Sequence, residues 1–70
     1  MNIQLNGKPK EIPETTTVAS LLDLMNIRSE VVAVEVNLDV IPRERRGEKA
    51  LKEGDEVEVV RFVGGGLWTR

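Results

Sequence analysis

The last strand-like stretch of the chain reads Glu56-Val57-Glu58-Val59-Val60-Arg61-Phe62-Val63, and it runs directly into Gly64-Gly65-Gly66. Apolar side chains occupy both faces of this stretch, as in a strand of a sheet core. Glycine has no Cβ atom and bends easily, so three glycines after a strand predict a thin, flexible arm. Such an arm fits a channel too narrow for side chains and can carry a carboxylate into another enzyme's active site. The alternative is a frayed glycine-rich chain end.

Composition argues against several classes of function. The 70 residues form one small domain, with a net charge of −2 and no cysteine, histidine or tyrosine. The usual general base, thiol nucleophile and metal ligands are therefore absent, so we expect neither an enzyme nor a metal or other bound cofactor. Mixed charges with one Trp and one Phe argue against nucleic-acid binding. Without a long apolar run or a signal peptide, we expect a soluble, cytoplasmic monomer with no membrane partner.

The N-terminal residues predict a β-hairpin. Ile3 and Leu5 alternate with polar residues, as in a strand with one buried face. Asn6-Gly7 follows, the strongest short-range signal for a tight turn. Lys8 to Ile12 is then the returning strand, and Pro9 within it favours an edge position.

A short helix is predicted after the hairpin. Thr16 or Thr17 is suited to cap its first turn, and Asn26 is predicted to end it. Four apolar residues follow helical spacing and form one stripe, which we expect to face the core: Val18, Leu21, Leu22 and Met25. The elements that follow are a central strand over residues 31–36, a short strand at Val40-Ile41 and the last strand.

This order of elements predicts an α+β fold in which one helix crosses one face of one sheet. The domain is expected to span residues 1–63, with a flexible glycine arm and tail over residues 64–70. The periodicities of helix and strands agree on one predicted core: Ile3, Leu5, Val18, Leu21, Leu22, Val32, Val34, Val36, Leu51, Val57 and Val59.

Several segments, in order, resemble the ThiS family of sulfur carriers for thiamine biosynthesis. They are Ile3-Gln4-Leu5-Asn6-Gly7, residues 17–22, Val34-Glu35-Val36-Asn37, Ile41-Pro42-Arg43-Glu44 and residues 54–66. The likeness covers nearly all of residues 1–66. It implies a ubiquitin-like β-grasp fold, a mixed sheet on one helix with the two terminal strands parallel at the sheet centre.

The resemblance also implies a function. Gly66 would be adenylated by a ThiF-like, E1-like adenylyltransferase that uses ATP, and then converted to a thiocarboxylate with sulfur from a donor enzyme. A ThiG-like thiazole synthase would accept the sulfur. Gly64 and Gly65 would form the flexible arm. Val60 and Phe62 would contact these partners, although a core position for both is an equal alternative.

The chain departs from the family pattern after Gly66, where Leu67-Trp68-Thr69-Arg70 follow. While this segment is attached, Gly66 carries an amide and no free carboxylate. A native extension removed by a peptidase, residues left by recombinant expression, and a carrier without the thiamine role all remain open. So do two other functions: a sulfur carrier for molybdopterin or cysteine/methionine synthesis, and a β-grasp interaction module with no covalent role.

Overall fold

The computed structural model describes residues 1–63 and 67–69, with side chains described for residues 1–61. The elements follow in the order β1 (Asn2–Leu5), β2 (Lys8–Glu11), α1 (Val18–Leu24), β3 (Val32–Val36), β4 (Asp39–Val40), β5 (Glu56–Val63) and β6 (Leu67–Thr69). Two short 3-10 helices, Ser29–Val31 and Arg43–Arg45, lie before β3 and after β4. The predicted fold class is confirmed, since one main helix packs on one mixed sheet.

The sheet has the strand order β2-β1-β5-β3-β4, with β6 paired to β5 outside that path. β1 and β5 run parallel and are both interior strands, as the β-grasp expectation requires. The other pairs are antiparallel. β5 is therefore held on one side by β1 and on the other by β3, and the glycines follow directly from its end.

Local sequence explains how the hairpin and helix form. Asn6 and Gly7 have φ values of 50° and 82°, so both central residues of the β1–β2 turn are left-handed. Thr17 caps α1: its hydroxyl accepts from the Ser20 N–H at 3.1 Å, and the Ser20 hydroxyl accepts from the Thr17 N–H at 2.8 Å. Asn26 adopts a φ of 56°, the left-handed conformation that often follows a helix. These predictions are confirmed.

The first turn of α1 also donates hydrogen bonds to the loop after β4. The N–H groups of Val18 and Ala19 donate to the carbonyl oxygens of Lys49 and Arg46, each at 3.0 Å. Helix N-termini leave such donors without intrahelical partners. The loop of residues 43–49 therefore completes a helix that lies almost thirty residues earlier in the chain.

The core confirms most of the predicted set and adds to it. Leu5 and Val59 are only half-buried, as is Met25 of the helical stripe, and all three pack against the core from its margin. Two residues outside the predicted set, Ile12 and Ile41, also lie in the core cluster. Periodicity does not identify them, because Ile12 is a lone apolar residue before Pro13 and Ile41 stands between Val40 and Pro42 in a segment too short to show a repeat.

The segment after β5 differs in part from the predicted flexible tail. Residues 67–69 form β6, antiparallel to β5, with Leu67 opposite Val63 and Thr69 opposite Arg61. Pairing is possible because β5 continues past the end of β1, so the main-chain groups of its last residues are open to another strand. The predicted arm residues Gly64, Gly65 and Gly66 lie outside the described residues.

Candidate functional site

The start of β5 is fixed by a buried carboxylate. Asp55 is buried, and its two carboxylate oxygens accept from the Lys52 N–H at 2.8 Å and from Asn37 Nδ2 at 3.0 Å. The Asn37 Oδ1 in turn accepts from the Glu56 N–H at 3.0 Å. A turn, the end of β3 and the first residue of β5 are thereby joined. Asp55 is therefore a structural residue, which connects the base of β5 to the preceding turn and to Asn37.

The opposite side of β5 is bonded by a second asparagine. Asn6 Oδ1 accepts from the Val59 N–H at 2.7 Å, and Asn6 Nδ2 donates to the Val59 carbonyl at 3.3 Å. The β1–β5 ladder covers only Gln4 with Glu56 and Leu5 with Val57. The asparagine side chain therefore extends the bonding of β1 by one more position, after which the turn leads the chain away.

Val60, one of the two residues predicted to contact partner enzymes, lies on the sheet face away from α1. Val60 is 2% exposed and lies opposite Ala33, outside the core cluster that contains Val57. Phe62 lies two residues further along β5, with its backbone opposite Trp68 of β6. Contact of Val60 and Phe62 with partner enzymes stays a prediction, and the burial of Val60 favours its alternative role in packing.

The attachment site follows closely after Phe62 in the chain. Gly66, the predicted site of adenylation, and the arm residues Gly64 and Gly65 lie outside the described residues. The strand that precedes these glycines, β5, is hydrogen-bonded on both sides from Glu56 to Val59.

A buried arginine holds the loop of residues 43–49 to the rest of the domain. Arg46 is 5% exposed, and its guanidinium donates to the Ser29 carbonyl and hydroxyl at 2.8 and 2.7 Å and to the Val32 carbonyl at 2.9 Å. All three acceptors are neutral. Burial lowers the pKa of Arg46, and the nearby charge of Arg43 lowers it further. Its Nε is buried without a hydrogen-bond partner among the described residues.

Sequence patterns do not single out Asn6, Asn37, Arg46 or Asp55 as bonding residues. The Asn-Gly and Asn-Leu-Asp patterns indicate turns, and the turns are there. No local signal indicates that the asparagine side chains also bond the last strand. The run from Arg43 to Arg46 is typical of a solvated polar loop, but its last residue is a buried cation.

The surface cavities lie away from the last strand. One of about 190 Å³ is lined by Ile41, Pro42, Arg45, Glu48 and Lys49. Another of about 410 Å³ is lined by Pro13, Thr15, Thr16, Ser20, Asp23 and Leu24, and β5 borders neither. Within residues 1–63 and 67–69, no group of acidic side chains is placed to hold a metal ion. The helices of that same part of the chain are all too short or too polar to cross a membrane.

Known proteins are similar to this chain in sequence and in fold. Residues 3–66 match the ThiS family. The sulfur carrier protein ThiS of Bacillus subtilis is 42% identical over 91% of this chain and 98% of its own length. The crystal structure of the thiamine biosynthesis protein ThiS from Geobacter metallireducens superposes with a TM-score of 0.83 at 39% identity, covering 94% of this chain and 100% of that one.

A larger protein also contains a similar region. The thiazole synthase of Magnetococcus marinus is 44% identical over 94% of this chain, but the chain spans only 20% of its length. The matched family segment begins in β1 and ends at Gly66, so it includes the strands from β1 to β5, the helix and the three glycines, but not β6. This chain belongs to the ThiS family.

Proposed function

We propose that this chain is a cytoplasmic sulfur carrier for the synthesis of the thiamine thiazole. It acts as a protein co-substrate, and the catalytic groups belong to its partners. The observation that carries the proposal is the match to the ThiS family over residues 3–66, which ends at the glycine that would carry the sulfur. The fold supports it, because these glycines follow a strand fixed on both sides by Asn6 and Asn37.

The proposed chemistry takes place at the Gly66 carboxylate. A carboxylate oxygen attacks the α-phosphorus of ATP on a ThiF-like adenylyltransferase, and pyrophosphate leaves. Hydrosulfide (HS⁻) released by a donor enzyme then attacks the acyl carbon, AMP leaves, and the product is a thiocarboxylate. A ThiG-like thiazole synthase takes up that sulfur. A glycine carboxylate suits this route because it has no side chain to obstruct a narrow channel.

The free carboxylate requires loss of the residues after Gly66. In the 70-residue chain, the Gly66 carbonyl carbon is bonded to the Leu67 nitrogen. We therefore propose that a peptidase hydrolyses this amide before adenylation. The requirement is the same for any form of the chain in which a residue follows Gly66.

The test compares a chain that ends at Gly66 with the 70-residue chain. Each is mixed with a ThiF-like enzyme from the same genome and ATP, and exchange of labelled pyrophosphate into ATP is followed. We expect exchange only with the chain ending at Gly66. A chain ending at Gly65, one residue shorter, is the matched control and should be much less active. Equal exchange with the 70-residue chain would show that another group reacts.

One observation favours a second function, that of a non-covalent interaction module. The thiazole synthase of Magnetococcus marinus contains a region similar to this chain within a much longer protein. A module of this kind would bind its enzyme without being adenylated. The absence of pyrophosphate exchange from either chain, together with measurable binding to a thiazole synthase, would favour it.

A further inference from the structure

One edge of β5 is occupied in turn by three different partners. β1 pairs with Glu56 and Val57, and the Asn6 side chain bonds Val59. Beyond that point the edge is taken by β6, whose residues 67–69 lie opposite residues 63–61. The chain therefore covers this edge of its longest strand with its own following segment.

The hydrogen-bond pattern of the β5–β6 pair follows from this edge. Successive residues of a strand direct their N–H and C=O groups to opposite sides. The Val57 carbonyl accepts from the Asn6 N–H, and both main-chain groups of Val59 bond the Asn6 side chain. Arg61 and Val63 must then face the same side. Arg61 with Thr69 and Val63 with Leu67 are accordingly the hydrogen-bonded pairs, and Phe62 with Trp68 is the non-hydrogen-bonded pair.

The pairing of Val63 with Leu67 limits the distance between these two residues. Hydrogen-bonded partners of antiparallel strands lie about 5.5 Å apart between Cα atoms. A fully extended chain from Val63 to Leu67 would instead span about 13 Å. Leu67 therefore has to leave Val63 before the two residues can lie at the ends of an extended segment.

We propose that β6 is an autoinhibitory strand, which keeps Leu67 to Thr69 from a peptidase for as long as these residues pair with β5. The proposal rests on the proposed function, because that function needs the Gly66–Leu67 amide hydrolysed. A peptidase that cuts there binds the residues on both sides of the bond as an extended segment, so Leu67 to Thr69 must first unpair. Hydrolysis breaks the C–N bond, adding the hydroxyl of water to the Gly66 carbonyl carbon and a proton to the Leu67 nitrogen.

Amide hydrogen exchange of the 70-residue chain tests the pairing directly. We expect the Leu67 and Thr69 amides to exchange more slowly than the Trp68 amide, since only the first two donate to β5. Exchange at similar rates for all three amides would overturn the proposal. This measurement needs no partner enzyme. Unpaired amides would overturn the autoinhibitory strand and leave the proposed function standing, whereas absent pyrophosphate exchange would overturn the function and leave the pairing standing.

A removable covalent lock tests the consequence for cleavage. The chain has no cysteine, so the double variant Arg61→Cys with Thr69→Cys offers a single disulfide across a hydrogen-bonded pair. Thermolysin, which cuts before leucine, serves as the peptidase. After the reaction is stopped and the disulfide is reduced in every sample, mass spectrometry measures the product ending at Gly66. We expect the oxidised variant to yield this product about tenfold more slowly than the reduced variant. Equal rates would overturn the proposal.

A proline variant weakens the pairing of β6 with β5 without a disulfide, and a second proline variant is its control. Thr69→Pro removes an N–H that donates to Arg61, whereas Arg70→Pro places the same residue one position beyond β6. Loss of one hydrogen bond should make Thr69→Pro release the Gly66 product roughly two- to tenfold faster than Arg70→Pro. Identical rates would contradict the proposal. Both substitutions lie outside the core cluster, so the domain is expected to stay folded.

Discussion

The side-chain amide of Asn6 acts in place of one more main-chain residue of β1, because it forms hydrogen bonds with both the N–H and the C=O of Val59. The amide thereby satisfies two main-chain groups of the central strand where the backbone of β1 has already turned away. The same residue has the left-handed φ of 50° that the hairpin requires. One asparagine therefore determines both the turn and the point at which β5 is free to pair with another segment.

Replacement of Asn6 by glycine should destabilise the domain by about 1–2 kcal/mol, because two hydrogen bonds to β5 are lost while the left-handed backbone is kept. The matched control is Asn26→Gly, at the C-terminal end of α1, where the φ is a similar 56°. We expect that control to be nearly neutral. Urea denaturation of both variants measures the difference, and equal midpoints would contradict the role given to the amide.

The helix offers a clean pair of leucines for measuring the core. Leu21 is 0% exposed, whereas Leu24 of the same helix is 57% exposed. Leu21→Ala should cost about 2–5 kcal/mol of unfolding free energy, because it leaves a cavity. Leu24→Ala should change the free energy by less than about 0.5 kcal/mol. Comparable losses from both variants would show that α1 packs through another face.

Leu38 lies at the tip of the β3–β4 turn with a φ of 74° and 84% of its side chain exposed. A leucine in the left-handed region costs about 1–2 kcal/mol, so Leu38→Gly should stabilise the domain by about 1 kcal/mol or less. The same exchange at Leu24, inside α1, should destabilise it by about 1 kcal/mol. Thermal unfolding measures both shifts, and a destabilising Leu38→Gly would mean that the side chain makes a contact of its own.

The loop of residues 43–49 should depend on its buried arginine. Arg46→Ala removes three hydrogen bonds to oxygen atoms of residues 29–32 and should cost about 2–4 kcal/mol. Arg45→Ala, the exposed neighbour, should be within about 0.5 kcal/mol of the parent chain. Arg46→Lys should recover only part of the loss, since an ammonium cannot span the same acceptors as a planar guanidinium. Denaturant midpoints of the three variants give the comparison.

One polar substitution decides whether Val60 packs inside the domain or contacts a partner enzyme. Its side chain is 2% exposed, so Val60→Asp should lower the unfolding free energy by about 3 kcal/mol or more through burial of a charge. Arg61→Asp, at the exposed next position, is the control and should leave the fold intact. A stable Val60→Asp variant that has lost binding to a ThiF-like enzyme would instead place Val60 in the interface.

The parts of the fold that could be predicted from the sequence are those with a local pattern. Residues 6 and 7 determine the hairpin, Thr17 and the stripe from Val18 to Leu22 determine the helix, and alternation determines β5. The bonds of Asn6 to Val59 and of Arg46 to Ser29 have no local pattern, because their partners lie 53 and 17 residues away. The pairing of β6 also depends on how far β1 reaches, which only the assembled sheet determines.

The hydrogen bonds from Val18 and Ala19 to the carbonyls of Lys49 and Arg46 have a consequence for folding kinetics. Seven residues are too few for a helix to persist alone in water, since nucleation is costly and few bonds repay it. The helix therefore becomes stable only when the loop of residues 43–49, almost thirty residues later in the chain, contacts it. The helix and the loop then form in one cooperative event. Two fragments made by dividing the chain at one point between residues 26 and 43 should each be largely unstructured. Mixing the two fragments should restore the helix and the loop together.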